Sequence, residues 1–336
     1  MAYTTIDNPE LYFQCKLYTG NGSNGHAQTF DGSENMSPNM VWIKGRSVAE
    51  NHHIFDSVRG ANKRLIPNDT SAEFDDSSNL QSFDSDGFTL GTADGINKNT
   101  ATFVCWGWKE SATAGFDIVA YTGSGSAHTI SHSLSAVPDV MITKGRSFSD
   151  GWIPYFKTSG NPIILALDDT VADRYSSRWG TFFNSTAPTS SVFTVGTDSA
   201  INTSSGTHIA YLWSAKQGFS KFGTYVGNAN ADGPFIWTGF SPSFVMAKMT
   251  SGTGNWNTFD NKRTDSGGGN IIDKRIKNNS NAAEIDGSAN QIDFLSNGFK
   301  WRGTDDDTNI SSGTFVYMAF AEAPFVNSKG VPANAR

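Results

Sequence analysis

Few stretches of this chain have residue types and spacings that could do chemistry, and each can be judged by the partners that chemistry needs. Gly20-Asn21-Gly22-Ser23-Asn24-Gly25 has the glycine spacing of a dinucleotide-binding loop. Such a loop needs a helix N-terminus directly after it, facing the pyrophosphate. The residues that follow, His26-Ala27-Gln28-Thr29-Phe30-Asp31-Gly32, carry no helical pattern, so a hairpin turn is expected. His52-His53 could suggest a metal pair. Adjacent residues of a strand point to opposite faces, and no cysteine or carboxylate stands at zinc-like spacing. Asp305-Asp306-Asp307, ahead of Thr308-Asn309, offers the oxygen ligands that calcium takes. It lacks the spacing of the glycine-centred calcium loop, and no similar run is evident elsewhere, so a solvated loop is expected.

The remaining candidates are charged groups at strand ends. Lys44-Gly45-Arg46-Ser47 and Lys144-Gly145-Arg146-Ser147 could grip an anionic sugar or a neighbouring subunit. The simpler expectation is a turn whose charges face water or pair with nearby acids, where they do little. Asp56 with Arg59, and Asp260 with Arg263, read as local ion pairs that fix a turn. No Ser/His/Asp order and no nucleophile elbow stands out, while Asp and Glu are plentiful enough to leave a glycosidase pair open. No catalytic, cofactor-binding or metal-binding residue is therefore assigned, and the expectation is a protein that is not an enzyme.

What must position these groups is a repeat. Val41-Trp42-Ile43-Lys44-Gly45-Arg46-Ser47 returns as Met141-Ile142-Thr143-Lys144-Gly145-Arg146-Ser147, shifted by 141 minus 41, or 100 positions. It returns more weakly as Val245-Met246-Ala247-Lys248, shifted by 245 minus 41, or 204. Runs with apolar residues on both faces read as strands buried on both sides. A first strand, Phe13 to Tyr18, has copies at Phe116 to Tyr121 and Phe219 to Tyr225. Phe55-Asp56-Ser57-Val58-Arg59 has a copy at Phe259-Asp260-Asn261-Lys262-Arg263, whereas Pro154-Tyr155-Phe156-Lys157 lacks the Asp and the Arg. The closing strands are Thr102 to Trp108, Thr207 to Trp213 and Thr314 to Phe320. Alternation puts Val104, Trp106 and Trp108 on one face, matched by Ile209, Tyr211, Trp213 and by Val316, Met318, Phe320. That face is expected to line the sandwich interior.

The pattern predicts an all-β chain of three tandem antiparallel β-sandwich domains, jelly-roll-like, at 13–109, 116–216 and 219–325. A period this long means tandem domains rather than a solenoid. Short joints at Glu110 to Gly115 and Lys216 to Gly218 predict a semi-rigid rod or arc of three beads. Residues 1–12 have no copy before the second and third units and read as an arm that docks on a partner, and 326–336 reads as a polar tail.

Composition narrows the functional classes. A formal charge of −7 and a pI near 5.3 disfavour nucleic acid as a partner, because phosphate binding needs a basic face. No apolar run reaches bilayer-spanning length, and the N-terminal residues have no secretory signal pattern. Cys15 and Cys105 fit a cytosolic chain without a disulfide framework, as two buried apolar residues.

Tyr3-Thr4-Thr5-Ile6-Asp7-Asn8-Pro9-Glu10-Leu11-Tyr12-Phe13-Gln14 and Leu17-Tyr18-Thr19-Gly20-Asn21-Gly22-Ser23 resemble a family of virion-associated structural proteins of marine tailed bacteriophages, as do Val41 to Ser47, Phe55 to Gly60 and Phe83 to Gly91. The resemblance covers the first unit well and the other two as diverged copies. It implies tandem β-sandwiches in a structural protein on the virion exterior, assembled in the host cytoplasm, and supplies no catalytic residues. The leading expectation is an exterior appendage component, a tail fibre or tail-attached adhesin, that presents loops to a host surface. The alternatives are a capsid decoration protein, and a carbohydrate-binding module or depolymerase. Expected partners are other virion proteins through the arm, further copies of the chain, and a host surface glycan, with no cofactor, nucleic acid or membrane insertion.

Overall fold

The computed structural model describes residues 3–173, 175–264, 271–287, 289 and 291–332. The chain is all-β, and the strand pairs are antiparallel. Three sheets have the same core order: an opening strand, the closing strand, a middle strand and a return strand. In the first repeat these are Phe13–Thr19, Thr102–Trp108, Met40–Gly45 and His53–Asp56. In the second they are Phe116–Thr122, Thr207–Trp213, Val140–Gly145 and Ile153–Phe156. In the third they are Ser220–Val226, Thr314–Pro324, Phe240–Met249 and Trp256–Asp260.

The registers agree across the repeats. Trp42 pairs with Trp106, Ile142 with Tyr211, and Met246 with Met318. Trp108, Trp213 and Phe320 likewise occupy one position, each opposite the start of its opening strand. A smaller second layer accompanies each sheet, built on His26–Gln28, His128–Ser131 and Phe235–Trp237 with their partners.

Both faces of the main sheets are buried, which is why the middle strands carry apolar residues at nearly every position. The expected assignment of those faces is corrected by the packing. Phe103 and Cys105 lie with Val41, Ile43, Phe55 and Phe88 between the two layers of the first repeat. Ala210 and Leu212 do the same in the second. The face with Val104, Trp106 and Trp108 points the other way. It joins Ile209, Tyr211, Trp213, Val316, Met318 and Phe320 in one cluster drawn from all three repeats. Trp108 lies 6.5 Å from Trp213 and 5.6 Å from Phe320, ring centre to ring centre.

The rod or arc is therefore corrected to a closed ring around a shared apolar centre. Short joints limit freedom, but they do not choose between a line and a turn. The large apolar outer face of each sandwich decides, because in a rod it would stand in water.

The arm is also placed differently from expectation. It lies on the third repeat of its own chain. Tyr3 Oη donates to Gly239 O at 2.9 Å, Thr4 Oγ1 donates to Gln217 O at 2.7 Å, and Ile6 enters the central cluster. The backbone N–H and hydroxyl of Ser328 both donate to Asp7, which ties the start of the tail to the arm. Of the arm's apolar side chains, Ile6 is buried in the central cluster, Tyr12 packs against it and Tyr3 bonds to the third repeat, while Leu11 stays exposed.

Candidate functional site

The residues singled out by type converge on the three seams of the ring. Each middle strand has a fully buried lysine as its second-last residue: Lys44, Lys144 and Lys248. Their ammonium groups donate to backbone carbonyls on both sides of a seam. Lys44 Nζ reaches Gly45 O at 2.7 Å and Asn281 O at 3.3 Å. Lys144 Nζ reaches Asp150 O at 2.7 Å and Thr70 O at 3.0 Å. Lys248 Nζ reaches Met249 O at 2.7 Å and Val171 O at 2.9 Å. The first repeat thus grips the third, the second grips the first, and the third grips the second. Burial lowers the pKa of each lysine to about 8. For the lysines the expectation of charges that face water or pair with nearby acids is corrected, since the strand end runs into a neighbour's carbonyls, while the arginines of the same motif do pair with acids.

The same cyclic direction recurs in the ring nitrogens. His52 Nε2 lies 3.0 Å from Lys277 O, Trp152 Nε1 donates to Ile66 O at 2.9 Å, and Trp256 Nε1 donates to Ala166 O at 2.8 Å. His52 also accepts from Trp42 Nε1 at 2.9 Å, while His53 stands in the first repeat's interior beside Phe55. Burial lowers the pKa of both histidines, that of His53 to about 3.

The ion pairs read from sequence are local anchors of longer chains. Arg59 N donates to Asp56 Oδ1 at 2.8 Å and Arg59 Nε to Asp56 Oδ2 at 2.5 Å, which fixes the turn. Arg59 Nη1 then meets Glu73 at 3.2 Å, and Glu73 takes both Nε and Nη2 of Arg146 from the second repeat at 2.8 and 2.9 Å. Tyr211 Oη, also from the second repeat, donates to Asp56 Oδ2 at 2.7 Å. The third repeat copies this with Asp260, Arg263 and Glu284. Arg46 of the first repeat forks onto Glu284 at 2.9 Å for both bonds, and Trp106 Nε1 donates to Asp260 at 2.9 Å. Burial pushes the pKa of Glu73 and Glu284 up, but the arginines outweigh it and hold both below the usual carboxylate range.

At the remaining seam the same positions hold Phe156, Met318 and Thr250. Phe156 packs on Trp256 at 6.2 Å. The backbone bond persists, from Asp173 N to Thr250 O at 3.0 Å, matching Glu73 N to Arg146 O at 2.8 Å and Glu284 N to Arg46 O at 2.9 Å. The missing Asp and Arg of the second repeat thus coincide with a missing donor on its neighbour, and this seam keeps its backbone, lysine and indole hydrogen bonds but replaces the ion-pair cluster by apolar contact.

The other candidates are placed as follows. Gly20–Gly25 is not a hairpin turn. It crosses from the main sheet to the second layer, since Phe13–Thr19 pairs with the closing strand and His26–Gln28 pairs with Gly87–Leu90. Asp305 caps a short helix, Asp306–Asn309, and accepts from Arg275 at 2.8 Å, while Asp307 accepts from Asn255 N at 2.9 Å. The expected solvated loop is therefore corrected to a short helix at which Asp305 and Asp307 are partnered, and the other repeats have helices in the same place, Asp94–Asn97 and Ser199–Asn202, without the acidic run. Among the described residues, no three His, Cys, Asp or Glu side chains gather as metal ligands. Cys15 and Cys105 are free and buried on opposite faces of the first sheet.

Two features escape sequence reasoning. The short helices end in buried asparagines, Asn97, Asn202 and Asn309. Each accepts from the backbone of the turn after the opening strand, at Asn21 N, Ser124 N and Asn228 N, at 2.9, 2.8 and 2.9 Å. The recurring Asn five residues before each closing strand was the available signal. The second is a carboxyl pair at the first joint. Burial and a hydrogen bond with Asp117 raise the pKa of Glu110 to about 7. Asp117 is buried too, yet it accepts from Ser133 N at 2.5 Å and stays below its usual value.

The geometry defines a ring of three β-sandwich repeats, closed head to tail by buried polar pairings. The chain belongs to the family described as a domain of unknown function (DUF7483), which matches residues 8–324 and so spans all three repeats. No curated protein matches the chain.

Proposed function

We propose that the chain is a structural protein of a bacteriophage virion, on the particle exterior, which presents loops for contact with the host surface. The observation that carries a scaffold role is the use of the chemically capable groups. Lysines, arginines and carboxylates that could have formed a reactive site are buried in pairings that hold one repeat to the next. The virion location rests on the sequence resemblance at the first repeat. With the arm laid on the third repeat, attachment to neighbouring virion proteins falls to other surfaces.

The closed ring favours a second reading, a capsid decoration protein, over a fibre. A compact body with three similar sides suits a threefold position on a shell better than the shaft of an appendage. Quantitative mass spectrometry of purified particles separates the two. A few copies per particle support the appendage, copies matching the capsid lattice support decoration, and absence from particles overturns both.

A further inference from the structure

The three repeats act as internal controls for one another. A residue needed only for the shared fold should recur, and an exposed residue that departs from its two counterparts calls for another explanation. Phe235 and Trp237 are 45% and 49% exposed on the edge strand of the third repeat's smaller layer, either side of the buried Ile236. Register fixes their counterparts. Ile236 pairs with Phe299, Gln28 with Phe88, and Ile130 with Phe193. Phe235 therefore corresponds to Ala27 and Thr129, and Trp237 to Thr29 and Ser131, all exposed. Two repeats carry small side chains where the third carries two aromatic rings.

The surroundings say what those rings suit. They stand two residues apart on one side of a strand, about 7 Å from one another. Gly298 is opposite Trp237 in the register, and the Phe235 ring leans over it to 3.0 Å from where a Cβ would stand, while Lys300 is opposite Phe235. Lys300 pairs with Asp232 at 2.5 Å, which puts a fixed donor and acceptor at one end of the strip. At the other end Lys221 reaches over from the main sheet. Its Nζ lies 4.3 Å from the centre of the Trp237 ring and donates to Trp237 O at 2.8 Å. Lys221 has no carboxylate partner among the described residues. Its counterparts are Gln14 and Asp117, so the cation too is confined to this repeat.

We infer that the edge formed by Phe235, Trp237 and Lys221 is a binding site for an acidic saccharide. Phe235 and the face of Trp237 that Lys221 leaves uncovered offer apolar surface to sugar C–H groups, Asp232 and Lys300 offer hydrogen bonds to hydroxyls, and Lys221 takes the sugar carboxylate. A neutral sugar would leave the ammonium without a counter-charge, and a purely apolar partner would bury it with only Trp237 as compensation. The site concerns the isolated protein and does not depend on the virion reading.

The test is affinity electrophoresis of the full chain in gels containing polygalacturonate, alginate or hyaluronate, with dextran as the neutral control. Retardation by at least one acidic polymer and not by dextran is expected. Trp237→Ala should weaken it about tenfold, the size of one lost stacking contact, and Lys221→Gln should weaken it while removing its salt dependence. Unfolding midpoints check that the variants fold. Should Trp237→Ala fail that check, Phe235→Ser and Lys221→Gln carry the test. No retardation by any acidic polymer overturns the site, as does equal retardation by dextran or retardation insensitive to all three substitutions. Concentration-dependent self-association through the same residues, without saccharide binding, also overturns it and reassigns the edge to a second copy.

Discussion

The seam between the first and second repeats can be rewritten into the seam between the second and third, and the outcome tests what holds the ring. Asp56→Phe installs the residue found at the equivalent Phe156. Alone, it removes the carboxylate that accepts from Arg59 at 2.5 Å and from Tyr211 at 2.7 Å, with both partners of the ion pair fully buried. Arg59 keeps Lys63 O, Ile54 O and Glu73, so it is not stripped bare. Breaking a buried pair on one side costs about 3–5 kcal/mol, and an orphaned buried hydroxyl about 1–3 kcal/mol. The two overlap, so a loss of about 5 kcal/mol is expected. The triple variant D56F/R59S/Y211M reproduces Phe156, Ser159 and Met318 together. It leaves no orphaned charge and no orphaned tyrosine hydroxyl, losing only the acceptor of the residue 59 N–H, and the new Phe can pack on Trp152 as Phe156 packs on Trp256. Replacing a buried ionic cluster by matched apolar residues is often nearly neutral, so the triple should lie within about 2 kcal/mol of the parent. Urea unfolding followed by tryptophan fluorescence gives both numbers. A single variant as stable as the triple, within about 1 kcal/mol, would refute the claim that the buried charges form a matched lock.

Acid should loosen two seams before the third. The folded-state pKa values of Glu73 and Glu284 are depressed, so their stabilisation is complete above the ordinary value of 4.5 and is lost as pH falls through the lower folded value. Unfolding midpoints between pH 6 and pH 3 should fall in the parent and fall less in Glu73→Gln, which has already lost that contribution; parallel curves would count against it. Deleting residues 1–8 should cost about 2–5 kcal/mol, the scale of emptying one large aliphatic position, because Ile6 leaves the central cluster. An unchanged urea midpoint would mean that the arm is not part of the fold.

Strand pattern was legible because period-two alternation and turn residues are local. The triplication was legible because Val41–Ser47 and its copies preserve side-chain type at matched offsets. The closing of the ring was not, since it depends on which apolar face meets which. Phe103 and Val104 are neighbours of equal apolar character, yet one lies between layers and the other at the centre. The candidate seam residues were half visible. Asp56 and Arg59 are three apart and suggest a pair on their own, while Glu73 and Arg146 are separated by 73 positions and become a pair only when two repeats meet. Lys44 looked solvated because its strand end resembles any other, and nothing local announces a neighbour's carbonyl.

The apolar seam has a consequence that a ring of identical subunits could not have. In a homotrimer every substitution appears three times, so a change that weakens one contact weakens all, and a ligand site appears at every corner or at none. Joining the copies in one chain removes that constraint. Each seam and each corner can drift alone, provided the other two keep the ring closed. The Phe156 and Met318 seam and the Phe235 and Trp237 edge are each found once among the described repeats, the first where the second and third repeats have both changed and the second where the third alone has parted from its siblings. Symmetry here supplies the rigid frame, and its local breaking supplies individuality.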